Sequence, residues 1–341
     1  MGPFLAIARS SFTETTRQPF FGLVLISSCL LIALLPVSAT HLYVFTSGGG
    51  LNRVPERMIA ELGLATVQLG GLLLSVFCAH RLLAEELETG TIATLLTKPV
   101  GRATLLLGKY SGLAGALSLF AAAGSMVTLL TLRAGSPLEG IDPLDPGVVL
   151  GLGACFAIGL GVAAFRAYFA QRSFLGGFAM SFVLSLSLLF LAFAFIDRDY
   201  QIGLHFTRAG GVHALTEEAV VSTYDPQVLR AALLSTQAVL VIAALALAAS
   251  ARLGLYGTGA LTGSVTLLGA LERGAGADPS ALGQLRAAVI PRLELFNVGE
   301  ALVREQTIPN AYLLWSSAYA LCLGAALITF GILALDGRDV T

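Results

Sequence analysis

The sequence predicts an all-α membrane protein, a polytopic bundle of about six to eight transmembrane helices. Of its 341 residues, 56% are hydrophobic and 12% are charged. That charged fraction is about half of what a soluble globular protein carries. Apolar runs long enough to cross a hydrocarbon core of about 30 Å recur along the chain. Strands of a membrane barrel would alternate apolar and polar residues, and these runs do not.

Eight candidate spans follow from the apolar runs, and they leave no room for a separate soluble domain. We therefore predict one transmembrane domain over residues 1–341. Asp, Glu, Lys and Arg are absent from the middle of every span. The predicted spans are 20–41, 59–80, 108–132, 147–166, 174–196, 229–251, 254–272 and 309–335.

The charge distribution predicts that both termini are cytoplasmic. If the N-terminus is inside, eight crossings place Lys98, Lys109 and most arginines of the short connections in the cytosol, as the positive-inside rule expects. The outer segments then hold most of the acidic residues. The net charge of −1 argues against a nucleic-acid partner. We therefore expect a multi-pass protein of the cell membrane.

The first nineteen residues carry a separate prediction. Phe4, Leu5, Ala8 and Phe12 fall near one helical face. This pattern predicts an amphipathic helix over 1–19 that lies on the inner membrane surface. The alternative is a frayed polar leader, and the sequence favours neither.

Small residues recur every four positions in two of the spans. Such stripes let helix backbones approach closely, because lipid gives no hydrophobic drive for helix association and packing must supply it. They predict tight helix contacts more than a ligand site. The two stripes are Gly108, Gly112 and Ala116 in the third span, and Gly147, Gly151, Cys155 and Gly159 in the fourth.

Two outer segments, 197–228 and 273–308, are long enough to contact a partner protein outside the membrane. The second is rich in apolar residues and predicts short helices at the outer interface. His205 and His213 lie in the first segment. Two loop histidines eight residues apart are weak evidence for a metal site. We therefore predict no metal ligand in this chain and leave their role open.

Residues 81–109 concentrate charge between two apolar runs. Arg81 to Glu88 can continue the second span into the cytosol as a helix, and Gly90 can end it. A second short helix can then follow and end at Pro99. A helix, a bend and a second helix attached to two spans form a surface suited to docking another protein. The alternative is an ordinary inner loop whose charges only set topology.

The residues of this segment resemble a known family, the ABC-2 type permeases of ABC transporters. The branch that is most similar is the one that includes the permease of the nitrous oxide reductase maturation system and related multi-copper enzyme maturation permeases. The family pattern is an acidic stretch, Gly-Thr, a leucine pair, Pro, Arg and Gly-Lys. It falls on Glu85, Glu86, Glu88, Gly90, Thr91, Leu95, Leu96, Pro99, Arg102, Gly108 and Lys109. A weaker match covers 290–297 and 335–340.

The resemblance implies a fold and a mechanism. The fold would be of the type V exporter kind, often with six spans, and 81–109 would hold a coupling helix that contacts a separate ATPase subunit. Two permease copies, identical or related, would alternate access for a substrate between them. ATP and Mg²⁺ would bind the partner ATPase, and this chain would hold no cofactor. In agreement, LLLGKYSG at 105–112 is not a Walker A loop, because Ala103 and Tyr110 stand where Gly and Ser or Thr belong.

Three other classes of function remain as alternatives. An ion-coupled secondary transporter needs ionisable groups near the bilayer midplane, and the spans contain none there. An intramembrane enzyme needs a metal site or an activated nucleophile, and the chain has neither HExxH nor an Asp pair within a span. A scaffold protein is compatible with the composition. The sequence does not identify the substrate, which a lipid-like cargo would fit.

Overall fold

A computed structural model describes residues 2–46, 54–88, 101–134, 145–171, 173–196, 224–271, 291–299, 302 and 306–336. Within these ranges the protein is helical, which confirms the predicted fold class. The predictions for 197–223 and 272–290, and the side chains of His205 and His213, lie outside the described residues.

Nine helices longer than ten residues occur in the described ranges. Their bounds are α1 Pro3–Arg17, α2 Pro19–Thr46, α3 Val54–Ala79, α4 Arg102–Ala134, α5 Pro146–Ala170, α6 Phe174–Phe195, α7 Pro226–Ser250, α8 Leu255–Leu271 and α9 Asn310–Asp336. Helix α3 continues through a π-helical turn at His80–Ala84 into a last α-helical turn at Glu85–Glu88. A short 3₁₀ helix at Leu293–Phe296 precedes α9.

Seven of these helices are long and apolar enough to cross a membrane: α2 to α7, and α9. The seventh predicted span, 254–272, is α8, which has 17 residues. At 1.5 Å per residue the described part of that helix is about 26 Å long. The structure therefore supports seven of the eight predicted spans by length and gives a helix at the eighth.

Local sequence explains where two of the spans begin. Asp145 and Asp225 each precede a proline, and each side chain accepts a hydrogen bond from the backbone N–H two residues later, at 2.9 Å and 2.8 Å. Proline at the first helical position costs no hydrogen bond, and an aspartate cap satisfies one of the free N–H groups. The two motifs begin α5 and α7.

The centre of the bundle is formed by α2, α3, α4 and α7. Helices α8 and α9 pack on α7, the α5–α6 hairpin lies to one side of α4, and α1 runs along α4. The apolar stretches of α4 and α7 are 67% and 72% buried, whereas those of α5 and α9 are each 22% buried. In a membrane protein, α5 and α9 are therefore the helices that face lipid or another chain.

Both terminal helices lie at the end of the bundle where α3 ends and α4 begins, which we call the junction end. There Arg102, at the start of α4, donates to the Leu335 carbonyl at 3.4 Å. Arg252 donates to the Ala334 carbonyl at 2.7 Å. Because α1 also packs on the first half of α4, α1 and the C-terminal end of α9 lie at the same end of the bundle.

Candidate coupling site

The junction end begins with the π-helical turn of α3. In this turn the Glu85 N–H bonds to the His80 carbonyl, five residues back instead of four. Such a turn shifts the backbone hydrogen-bond register and is frequent at functional sites. The carbonyl of Leu82 inside the turn accepts a hydrogen bond from Lys109 Nζ on α4.

Lys109 is buried between α3 and α4, with 3% of its side chain exposed. Its Nζ lies 2.5 Å from Glu86 Oε2, and the Glu86 side chain is 23% exposed. A buried ammonium needs both an opposite charge and hydrogen-bond acceptors, and α3 supplies one of each, a single helical turn apart. We call this contact of Lys109 with Glu86 and the Leu82 carbonyl the junction pair.

The junction pair changes the role expected for Lys109. A lysine near the start of a span can extend its side chain to the lipid headgroups. The Lys109 side chain instead points into the bundle. Burial of Lys109 joins α3 and α4 next to residues 89–100, the part of the predicted coupling segment between the two helices.

Further charges surround the junction pair. Arg81 Nε donates to Glu85 Oε2 at 3.0 Å, and both side chains are about half exposed. Glu14 of α1 lies close enough to interact electrostatically with all four of these groups. Partial desolvation raises the pKa of the Glu14 carboxyl; Lys109 and Arg81 oppose this shift, and Glu86 and Glu85 add to it.

The first predicted small-residue stripe is the contact surface for α1. A Cβ placed at Gly112 would lie 2.5 Å from the Ala8 carbonyl oxygen, and one at Gly108 would lie 2.8 Å from the Ile7 side chain. The predicted close approach is thus confirmed for these glycines. Residues 3–17 form helix α1, which packs on α4; its position on a membrane surface stays a prediction.

The second stripe works in the same way within the α5–α6 hairpin. A Cβ at Gly151 would lie 2.7 Å from Leu189, and one at Gly159 would lie 3.1 Å from Phe178. Ser181 of α6 also donates to the Gly159 carbonyl at 3.3 Å. Both stripes therefore pack helices together, as the sequence predicts.

The structure describes only some of the residues predicted to contact an ATPase. Glu85 and Arg102 are partly exposed at the junction end, while Glu86 and Lys109 contact each other. The side chain of Glu88 lies outside the described residues, as do the residues of the bend and the second short helix: Gly90, Thr91, Leu95, Leu96 and Pro99. Contact of any of these residues with an ATPase stays a prediction.

Sequence reasoning missed a buried charge cluster at the other end of α4. Arg133, 4% exposed, donates to the carbonyls of Phe193 and Ile196 at 2.9 Å and 2.8 Å. Its Nε lies 3.5 Å from Asp145 Oδ2, and its guanidinium lies 4.3 Å from the centre of the Phe193 ring. An arginine at a span end on the acidic side runs against the positive-inside rule, and that departure was a usable signal.

Comparison with known proteins agrees with these features. Residues 56–205 match the family model described as ABC-2 family transporter protein. This range includes the junction pair. A stretch of 107 residues is 33% identical to the probable ABC transporter permease protein NosY of Stutzerimonas stutzeri. The match covers 31% of this chain and 37% of that relative.

Proposed function

We propose that this chain is a permease of the ABC-2 transporter family, which it resembles over residues 56–205, and that it couples ATP hydrolysis by a separate ATPase subunit to outward substrate movement. It is the multi-pass transmembrane subunit of an ABC transporter. Permease subunits of this family are generally not catalytic. ATP and Mg²⁺ would accordingly bind in the partner ATPase.

The junction pair is the observation that carries this proposal. Residues 89–100 connect two helices that are tied together by a buried ion pair and a hydrogen bond to the main chain. A partner that pushes on this connection would move the ends of α3 and α4 together. Since α3 and α4 also pack on α2 and α7, the displacement would reach the centre of the bundle.

Three further parts of the proposal concern the chain termini, a second permease copy and the outer segments. Both termini would be cytoplasmic, because they lie at the junction end, where an ATPase must bind. A second permease copy would complete the transporter, and the exposed faces of α5 and α9 are available to lipids or to that copy. The outer segments 197–228 and 273–308 would contact cargo or an outer-side partner protein.

The test uses the full chain co-purified with the ABC ATPase that the proposal requires. The variant Glu88→Lys/Leu95→Asp should lower stimulated ATP hydrolysis by about tenfold, since it reverses one charge and buries another in an apolar contact. The control Arg166→Glu reverses an exposed charge at the same end of the bundle, on α5. It should leave hydrolysis within about twofold of the native complex.

Membrane insertion and thermal stability of both variants should match the native protein. Hydrolysis that is unchanged in Glu88→Lys/Leu95→Asp would refute the coupling role of 81–109. Failure to co-purify any ATPase would refute the whole proposal. Glu86 is unsuitable for this test, because reversing its charge would also leave buried Lys109 without its counterion.

A further inference from the structure

An open groove of about 450 Å³ lies at the junction end, where α1 meets the start of α2 and the π-helical turn of α3. Two arginines, Arg17 and Arg81, line it together with Ser10, Gln18 and the carboxylate residue Glu14. Guanidinium, amide and hydroxyl groups are all hydrogen-bond donors. The groove is therefore built mainly to accept a ligand that offers oxygen acceptors.

Gln18 is the most informative of these residues. Its side chain is 6% exposed, and its Oε1 accepts a weak hydrogen bond from Cys78 Sγ at 3.5 Å. Its Nε2 is buried and takes no partner among the residues that the structure describes. A buried amide nitrogen without an acceptor costs free energy. Because Gln18 lines the groove, a ligand oxygen bound there could supply the missing acceptor.

The two arginines are positioned independently of each other. A Cβ at Gly176 of α6 would lie 3.0 Å from Cγ of Arg17, so the glycine makes room for the aliphatic part of the arginine. Arg81 uses Nε for its bond to Glu85. Within the described ranges its two terminal nitrogens have no other partner, so they remain for a ligand. Arginine suits phosphate because its donors form a planar fork.

The position of the groove selects the kind of phosphate. Helix α2 begins at Pro19, beside the groove, and Pro19–Pro36 is apolar enough to cross a membrane. Helix α1 exposes Phe4 and Leu5, at 39% and 58%, as a helix at the boundary between headgroups and acyl chains does. We propose that the groove binds the phosphate headgroup of an anionic phospholipid from the leaflet at the junction end.

The Glu14 carboxylate limits the affinity of the groove for an anionic headgroup. An ionised carboxylate beside the headgroup would repel it, while a protonated one would donate a hydrogen bond. The groups facing Glu14 are Lys109 on α4 and Arg81, Glu85 and Glu86 on α3. Removal of the carboxylate should therefore strengthen lipid binding, whereas removal of Arg17 should weaken it. Two neighbouring changes with opposite effects are a stringent test.

The experiment measures lipid binding to the purified full-length protein by native mass spectrometry. The probes are phosphatidylglycerol and phosphatidylcholine with identical acyl chains. Arg17→Gln should weaken phosphatidylglycerol binding about fivefold, the effect of one arginine near an anionic headgroup. Glu14→Gln should strengthen it. The control Arg166→Gln removes an exposed arginine at the same end of the bundle, outside the groove, and should change binding less than about twofold.

Three results would overturn the proposal. Equal weakening by Arg17→Gln and Arg166→Gln would mean that general surface charge attracts the lipid. Equal binding of the two lipids by the native protein would mean that the phosphate charge is not recognised. Displacement of phosphatidylglycerol by millimolar inorganic phosphate would assign the groove to a soluble phosphate compound. None of these results bears on ATP coupling, so this site and the proposed function stand or fall separately.

Discussion

The two ends of α4 each bury one basic side chain, but they do so in different ways. At the junction end, Lys109 binds one carboxylate and one carbonyl, both on α3. At the opposite end, Arg133 binds two carbonyls of the α6 terminus, the aspartate that caps α5, and an aromatic ring. The first site joins α4 to one helix, and the second joins it to two.

The chemistry of the two cations fits these roles. The lysine ammonium is a compact charge whose contacts tolerate small shifts of the partner, whereas the arginine fork requires fixed geometry. We therefore expect the Arg133 cluster to act as a static brace and to dominate stability. The junction pair should contribute less stability and should matter for transmission of movement. Four predictions test this difference between the two ends.

The largest effect is expected at Arg133. Arg133→Leu removes the guanidinium donors of the cluster and the cation that faces Asp145. The loss should be about 3–5 kcal/mol of unfolding free energy, as for other broken buried ion pairs. It can be measured by reversible unfolding in mixed micelles. Arg166→Leu, at an exposed position on α5, is the matched control and should cost less than about 0.5 kcal/mol. A similar cost for both would show that Arg133 is not a brace.

The junction pair should give a smaller stability effect and a larger functional one. Lys109→Met removes the buried cation that faces Glu86 and should cost about 3 kcal/mol. The double variant Lys109→Met/Glu86→Gln removes both charges and should recover most of that loss. It should not recover stimulated ATP hydrolysis, because the junction pair no longer connects α3 and α4. Full recovery of hydrolysis would mean that the ion pair serves stability alone.

The contact between α1 and α4 should be sensitive to a single methyl group. Gly112→Ala places a Cβ 2.5 Å from the Ala8 carbonyl, which forces α1 away from α4. We expect a cost of about 1–3 kcal/mol, as for other overpacked sites, and faster proteolysis within α1. Gly153→Ala is the control, because nothing lies within 4 Å of its Cβ. Equal proteolysis of the two variants would mean that α1 is not held by the stripe.

The smallest effect is a pH dependence from Glu14. Its pKa in the folded protein is raised above its ordinary value of 4.5, so the folded state binds more protons than the unfolded state. Stability should therefore fall as pH rises from about 4.5 through the raised pKa. Glu14→Gln should remove that part of the melting-temperature profile, and Glu61→Gln, on α3, is the control. An unchanged profile in Glu14→Gln would assign the dependence to other groups.

Features that depend on residues close together in the sequence could be predicted, and features that depend on residues far apart in the sequence could not. The span positions and the glycine stripes were predicted correctly because apolar content and residue spacing are local. Packing is not local in this sense. The seventh predicted span, 254–272, has the composition of a span, but its contact with α7 joins residues that are separate along the chain.

The candidate site divides in the same way. Glu86 and Lys109 were both singled out from the segment pattern, but as separate contacts of an ATPase. Their pairing joins residues 23 positions apart, and it requires the π-helical turn that presents the Leu82 carbonyl. Arg133 and Phe193 are 60 residues apart. No periodicity in a single sequence reports such distances.

The sequence by itself determined that this protein is a membrane bundle with its charges gathered at the helix ends, because transfer of each residue into lipid depends on that residue and its neighbours along the helix. Only the tertiary structure decided where the buried charges go. In a medium of low dielectric constant every such charge must find a partner. The partners of Lys109 and Arg133, and the donors that meet around Gln18, come from helices brought together by packing.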